Sequence, residues 1–267
     1  MPLLALRVEV ERAQAEALSE ALMESGAQSV SIEEPDSPRP ALNALFGDVA
    51  TLEACRALLP HAGPACEVRE QDWVRASQAQ FEPWRAARLW IGATWHKAPP
   101  DAGAVVRIDP GLAFGTGSHP TTRLVLGFLE KEIRGGERVL DYGCGSGVLA
   151  IAAAKLGAGA VDAVDIDPVA VEVARANAQA NSVDIGCSLA SELAARHYQV
   201  VVANILARPL IELAPVLCER LAPRGRIALA GILDEQAQEV AAAYGHACTL
   251  EVSNSEGGWA LLSGSRP

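Results

Sequence analysis

The sequence lacks several features that would assign it to familiar classes of protein. Its six cysteines are scattered and include no C-x-x-C pair, which argues against a disulfide framework or a metal site. Residues 1–14 carry no basic lead before a short apolar run, so no signal peptide is predicted. No window approaches the ~20 uninterrupted apolar residues of a membrane helix. We therefore expect a cytoplasmic protein with no metal and no membrane anchor.

Positive charge is also scarce. The chain has 22 Lys and Arg against 33 Asp and Glu, a net charge of −11. Residues 1–70 hold 12 acidic residues, 5 arginines and no lysine, so −7 of that charge lies there. A nucleic-acid backbone is a poor partner for such a surface and a basic protein is a suitable one. An effect on solubility alone is the alternative interpretation.

The apolar pattern predicts two folded parts joined by a tryptophan-rich linker. Residues 1–70 follow the order β-α-β-β-α-β, which is typical of a small ferredoxin-like α+β domain. Residues 71–95 contain four of the five tryptophans and are predicted as a short helix and a strand, with the tryptophans as packing anchors. In residues 96–267, apolar strands alternate with helices, which predicts a mostly parallel sheet covered on both faces. Ligands of such sheets bind at the carboxyl ends of the strands.

A glycine-rich loop points to the cofactor. The stretch "VLDYGCGSGVLAI", residues 139–151, places Gly143, Gly145 and Gly147 between a strand and a helix. The dinucleotide motif is G-x-G-x-x-G, whereas the spacing here is G-x-G-x-G and Asp141 precedes it. This carboxylate would repel a pyrophosphate and attract a cofactor with a positive charge and an amino-acid tail. The pattern therefore predicts S-adenosylmethionine, with the glycines allowing a close backbone approach.

The next predicted strand ends in two aspartates with different expected roles. In "VDAVDIDP", residues 161–168, Asp165 is placed to accept hydrogen bonds from ribose hydroxyls. Asp167 precedes Pro168, which is typical of a helix N-cap followed by proline at the first helical position.

The segment before the glycine loop offers further candidates. Phe114 is predicted either to cover the adenine or to close the site. Thr121 and Thr122 precede an amphipathic helix, so a threonine here either caps that helix or turns its hydroxyl toward the methionine tail. His119 is a lone histidine before a proline and is predicted to be structural.

Asn204 is the candidate catalytic residue. It follows the apolar run Val200–Ala203 at the predicted tip of a strand. An amide oxygen there can hold an N–H of the acceptor so that the nitrogen lone pair points at the methyl group. A turn residue is the alternative interpretation.

These segments together resemble a known family. The stretches "DPGLAFGTGSHPTT", "VDIDP" and "ANILARPL", in this order around the glycine loop, are similar to the ribosomal protein L11 methyltransferase family (PrmA). The resemblance implies a class I methyltransferase domain with a Rossmann-like sheet, behind a ferredoxin-like domain that recognises the substrate. It also implies methylation of the N-terminal α-amine and lysine ε-amines of that ribosomal protein. Its cofactor contacts correspond to Thr122, Gly143, Asp165 and Asn204.

Other functions fit the sequence less well. An adenine methyltransferase acting on nucleic acid would need a basic groove and aromatic stacking beside Asn204, where Ile205 and Leu206 stand instead. A small-molecule amine is a possible acceptor but would not need the acidic front domain. A NAD-dependent oxidoreductase would need G-x-G-x-x-G, and a non-catalytic interaction protein is the remaining alternative. We expect a monomer without sequence-specific nucleic-acid binding.

Overall fold

The computed structural model describes residues 3–33, 37–57, 59, 66–68, 82–109 and 119–267. The chain divides into two compact units, Met1–Gln80 and Phe81–Pro267. The domain boundaries expected at residues 70 and 95 stay a prediction.

The described residues of the first unit form a four-stranded antiparallel sheet and two helices. Its elements are β1 Leu3–Glu9, α1 Arg12–Glu24, β2 Ser29–Glu33, β3 Ala41–Phe46, α2 Val49–Ala57 and β4 Cys66–Val68. The strand order is β2-β3-β1-β4, and every pairing is antiparallel. Alternation explains the two faces of β1, since Leu6 and Val8 are buried while Arg7 and Glu9 are exposed. This order confirms the ferredoxin-like prediction.

A small three-stranded sheet opens the second unit. It consists of β5 Trp84–Arg85, β6 Leu89–Gly92 and β7 Ala104–Arg107. Trp90 is buried, and the Arg107 guanidinium lies 5.2 Å from the centroid of its ring. The predicted role of Trp90 as a packing anchor is therefore confirmed. The predicted strand is therefore confirmed, whereas the predicted short helix before it lies largely outside the described residues.

The main sheet has seven strands and alternates with helices. Its elements are α3 Pro120–Glu132, β8 Arg138–Tyr142, α4 Val148–Lys155, β9 Ala160–Asp165, α5 Pro168–Ala180, β10 Gly186–Leu189, β11 Tyr198–Asn204, α6 Ala207–Arg220, β12 Leu221–Leu233, α7 Ala237–Tyr244, β13 Thr249–Glu256 and β14 Trp259–Ser265. The strand order is β10-β9-β8-β11-β12-β14-β13, and only the pairings made by β14 are antiparallel. This mostly parallel, helix-covered sheet confirms the predicted Rossmann-like class.

Both faces of the main sheet are buried, which explains why its strands are apolar without alternation. Val200 and Val202 pack in one core with α3, α4 and α5. Val201 and Ala203 pack on the opposite face with α6 and α7. Polar side chains consequently appear where the strands end, at Asp165 and Asn204. In the described part of the chain, no helix is long and apolar enough to cross a membrane.

Candidate active site

The glycine loop connects β8 to α4 and has a backbone that only glycine adopts readily. Gly143, Gly145 and Gly147 have φ of 77°, 51° and 80°, all in the left-handed region. The loop is anchored because the amides of Gly143 and Cys144 both donate to the carbonyl oxygen of Val164, at 2.8 and 3.0 Å. A Cβ on Gly143 would collide with Cγ2 of Ile205. The sequence therefore fixes a tight turn against the end of β11.

Asp141 lies beneath this loop and is fully buried. Its Oδ2 accepts a hydrogen bond from the Ala150 amide at 3.1 Å, in the first turn of α4. Its Oδ1 has no hydrogen-bond partner among the described residues. Burial raises the pKa of Asp141 to about 7, the Ala150 hydrogen bond opposes this, and the charge of Asp165 adds to it. A buried, half-satisfied carboxylate is unfavourable unless a cation or donor compensates it.

Asp165 ends β9 and is tied to the loop. Its Oδ2 accepts from the Gly145 amide at 2.9 Å, and its Oδ1 accepts from the Asp167 amide at 3.1 Å. The side chain is half-buried, so its remaining lone pairs can reach a ligand. Asp167 accepts from the Val169 amide at 2.9 Å and caps α5, with Pro168 next. The predicted N-cap role of Asp167 is confirmed.

The structure brings together two predicted site residues that are 82 positions apart. The Nδ2 of Asn204 donates to Oγ1 of Thr122 at 3.3 Å. Thr122 is fully buried and Asn204 is half-buried at the tip of β11. Because the amide nitrogen is engaged with Thr122, Oδ1 of Asn204 is the acceptor that remains for a ligand. An amide oxygen can accept a hydrogen bond from an N–H group.

The start of α3 differs from the prediction that a threonine caps this helix. His119, not a threonine, is the N-cap, and its Nδ1 accepts from the Thr121 amide at 3.3 Å. The reason is Pro120, which occupies the first helical position and keeps the preceding residue extended. The threonine-cap alternative is therefore wrong, and both threonines lie buried inside the first turn. The structural role predicted for His119 is confirmed.

Phe114, the candidate for covering the adenine, lies outside the described residues. Sequence reasoning missed Ala150 as the partner of Asp141, because a helix amide gives no signal in a side-chain motif. It also missed the contact of His119 with Trp259, whose ring centroids are 5.1 Å apart at 72°. Among the described residues, no group of three His, Cys, Asp or Glu could hold a metal ion.

The residues present fit S-adenosylmethionine. The unpartnered oxygen of Asp141 and the nearby Asp165 form a negative site, suited to a cationic ligand. A Cβ at Gly143 would collide with Ile205, so glycine is required for this turn beside Asp141 and Asp165. Asn204 and Thr122 complete the arrangement at the end of the neighbouring strand.

Comparisons with known proteins agree with this geometry. The sequence model of the family described as Ribosomal protein L11 methyltransferase (PrmA) matches residues 49–267. A ribosomal protein L11 methyltransferase from Thiobacillus denitrificans is 48% identical over 99% of this chain and 99% of the relative. One from Ralstonia nicotianae is 47% identical over 97% of each chain.

Solved structures are similar as well. The ribosomal protein L11 methylase from Lactobacillus delbrueckii subsp. bulgaricus has a TM-score of 0.62 and 33% identity, covering 68% of this chain and 96% of that chain. A methyltransferase from Pyrococcus furiosus, 18% identical with a TM-score of 0.50, covers 60% of this chain and 87% of its own. The second likeness concerns the fold alone.

Proposed function

The chain belongs to the ribosomal protein L11 methyltransferase (PrmA) family, and from this premise we propose that it methylates amines of ribosomal protein L11. The methyl donor is S-adenosylmethionine, and the enzyme is a class I methyltransferase. We propose the N-terminal α-amine and lysine ε-amines as the acceptors.

The observation that carries this proposal is the Asn204–Thr122 hydrogen bond beside the glycine loop. It orients the Asn204 amide so that Oδ1 can accept an N–H of a neutral amine. The amine lone pair is then free for in-line attack on an electrophilic methyl group. S-adenosylmethionine, when bound, supplies that methyl group on a positively charged sulfur.

Donor binding is proposed for the residues around the loop. Asp165 would accept hydrogen bonds from the ribose hydroxyls, and Asp141 would attract the positively charged methionine end. The backbones of Gly143 and Gly145 would allow close approach, and Thr122 would support the tail. Phe114 remains proposed as a cover for the site.

The acceptor must lose a proton before it attacks. For a lysine of pKa ~10.4, this costs about 4.6 kcal/mol at pH 7, whereas an α-amine of pKa ~8 needs only about 1.4 kcal/mol. We propose that water takes this proton while Asn204 holds the neutral amine. The carbon–sulfur bond of the donor breaks as the nitrogen–carbon bond forms, and a neutral sulfide leaves.

We assign substrate recognition to residues 1–70, which carry −7 of the −11 net charge. A basic ribosomal protein would be attracted to that surface. We propose that the enzyme acts in the cytoplasm as a monomer. Transfer to adenine in nucleic acid or to a small-molecule amine is not favoured, because the relatives are named for a protein substrate.

The proposal is tested with purified enzyme, purified L11 and isotopically labelled S-adenosylmethionine. Mass spectrometry of the digested L11 should find label on its N-terminal residue and on lysines. Parallel reactions with total RNA and with free lysine serve as controls and should stay unlabelled. Label found only on RNA, or on no acceptor, would contradict the proposal.

A further inference from the structure

The first turn of α3 contacts three strands of the main sheet at once. Thr122 accepts the hydrogen bond from Asn204 at the end of β11. His119 packs edge-to-face with Trp259, the first residue of β14. Arg123 donates to Glu256, the last residue of β13. One helical turn therefore connects the proposed acceptor-binding amide to an aromatic pair.

Strand register places Trp259 on the same side of the sheet as Asn204. Leu261 belongs to the core shared with α3, and β14 side chains alternate, so Trp259 points to that face. Since β12 separates β11 from β14, the lateral distance is two strand spacings, roughly 10 Å. Asn204 pairs with Ala230 and Trp259 pairs with Leu233, so Trp259 also lies three residues, roughly 10 Å, further along β12. The Trp259 ring therefore borders the space beyond the tip of β11, where Asn204 lies.

Exposed apolar side chains lie at the ends of the strands near the Trp259 ring. Leu233 pairs with Trp259 across β12 and β14 and is 36% exposed. Leu206, two residues after Asn204, is 69% exposed. Trp259 itself is only partly buried. An alkyl chain reaching toward Asn204 would meet apolar side chains here, whereas a polar acceptor would gain little.

We propose that Trp259, braced by His119, lines the acceptor site, contacting the alkyl chain of the amine and retaining the methylated ammonium for further transfers. This inference rests on the proposed function and deepens it. An aromatic face attracts a cation, and quaternary ammonium groups are bound in this way. Burial, together with the charge of Arg123, lowers the pKa of His119, which favours the neutral form of the ring beside Trp259.

Retention matters because each transfer leaves a cation. In each round a nitrogen–carbon bond forms, the donor's carbon–sulfur bond breaks, and a neutral sulfide leaves. The methylated amine loses a proton to water before the next round. A site that holds the methylammonium between rounds favours products with two or three methyl groups.

The test compares Trp259→Ala, Trp259→Leu and Trp259→Phe with the wild type, and Trp95→Ala as a control at another partly exposed tryptophan. Leucine retains apolar bulk without an aromatic face, and phenylalanine retains both. We measure S-adenosylmethionine affinity by calorimetry, kcat and KM for L11, and the number of methyl groups per site by intact mass.

We expect donor affinity to stay within about twofold in all variants. KM for L11 should rise roughly 2- to 30-fold in the alanine variant, the range of cation–π and apolar contacts. The leucine variant should shift products toward one methyl group, and phenylalanine should restore the distribution. The control should match the wild type.

Unchanged KM and an unchanged methyl distribution in the leucine variant, with the wild type active, would overturn this inference alone. A wild type that transfers no methyl group to L11 would overturn the proposed function, and this inference with it. If the alanine variant does not fold, the comparison of leucine with phenylalanine still decides the role of the aromatic face.

Discussion

At the scale of single residues, one of the two carboxyl groups of the site, that of Asp141, is fully buried. Asp141 has no exposed surface, accepts one amide hydrogen bond, and has a pKa raised to about 7 by burial. Such a group is unfavourable when ionised in the free protein and favourable beside a cation. We therefore expect Asp141 to lower the stability of the free enzyme and, by the proposed function, to raise its affinity for the donor.

Asp141→Asn should separate these two effects. The pKa of Asp141 in the folded protein lies above the unfolded value of about 3.9, so the protonated carboxyl group stabilises the fold at low pH, and that stability is lost as the pH rises from about 3.9 to 7. At pH 8 the free energy of unfolding of the variant should therefore exceed that of the wild type by about 1–4 kcal/mol, and the variant should bind S-adenosylmethionine more weakly.

The same ionisation predicts a pH dependence of binding. Wild-type affinity for the cationic donor should rise between pH 6 and 7 and level off above pH 8, whereas the variant should lack this rise. Calorimetry at several pH values, with thermal unfolding of the free proteins, checks both effects. A wild-type affinity that does not change from pH 6 to 8 would show that the charge of Asp141 does not contribute to donor binding.

Asp165 and Asp167 provide a matched pair of variants. Asp165→Ala should weaken donor binding by about tenfold or more, since charge-assisted hydrogen bonds to ribose and the bond to the Gly145 amide are lost. Asp167→Ala should lower stability by about 1 kcal/mol through the lost N-cap and leave affinity nearly unchanged. Titration calorimetry and thermal unfolding of both variants distinguish these outcomes. Equal losses of affinity would refute the ribose assignment to Asp165.

The side-chain motifs were predictable from the sequence, whereas the residues that form hydrogen bonds with them were not. Asp167 followed by proline is a local signal, so its cap was predictable. The Thr122–Asn204 bond joins residues far apart in the chain, and only the folded sheet brings them together. The choice of His119 over a threonine as the α3 cap depends on Pro120, whose effect on the preceding residue outweighs the general preference for threonine.

At the scale of elements, the turn from β8 into α4 tolerates little change. Its glycines have left-handed φ, and Gly143 lies against Ile205 of the next strand tip. The strands around it were predictable because long apolar runs signal buried parallel strands. The small sheet of β5, β6 and β7 was predicted only in part, since strands of two to four residues carry little periodic signal.

Gly143→Ala should lower stability by about 1–3 kcal/mol and abolish measurable donor binding, because an L-residue is strained at φ 77° and its Cβ collides with Ile205. Gly127→Ala is the matched control inside α3, where a Cβ meets nothing within 4 Å. That variant should be stabilised by about 0.5–1 kcal/mol with unchanged affinity. Chemical denaturation and donor titration measure both. A Gly143 variant with normal affinity would contradict the proposed close approach of the ligand.

At the scale of the whole molecule, charge and proposed chemistry reside in different parts of the chain. Residues 1–70 carry most of the net charge, whereas Asp141, Asp165 and Asn204 all lie in the unit Phe81–Pro267. The order of elements in the first part was predictable from sequence, because apolar segments of strand and helix length alternate there between turn residues. Its role in recognition is a proposal drawn from charge.

Removing residues 1–70 should therefore leave donor affinity within about twofold and reduce methylation of intact L11 by orders of magnitude. The physical reason is loss of the acidic surface that attracts a basic substrate, with the donor site retained. Circular dichroism first establishes that the truncated protein is folded. Full methylation by a folded truncation would assign recognition to another part of the chain.

The central claim, that Asn204 holds the acceptor amine for transfer, is tested most directly by Asn204→Ala. The exposed Asn254 of β13 supplies the matched control, Asn254→Ala. Methyl incorporation into L11 is measured at saturating S-adenosylmethionine, with donor affinity determined on the same preparations. We expect at least a hundredfold loss of turnover for Asn204→Ala, because an oriented hydrogen bond in the transition state is lost, and no loss for the control. A folded Asn204→Ala enzyme that binds donor and methylates L11 at the wild-type rate would contradict the account.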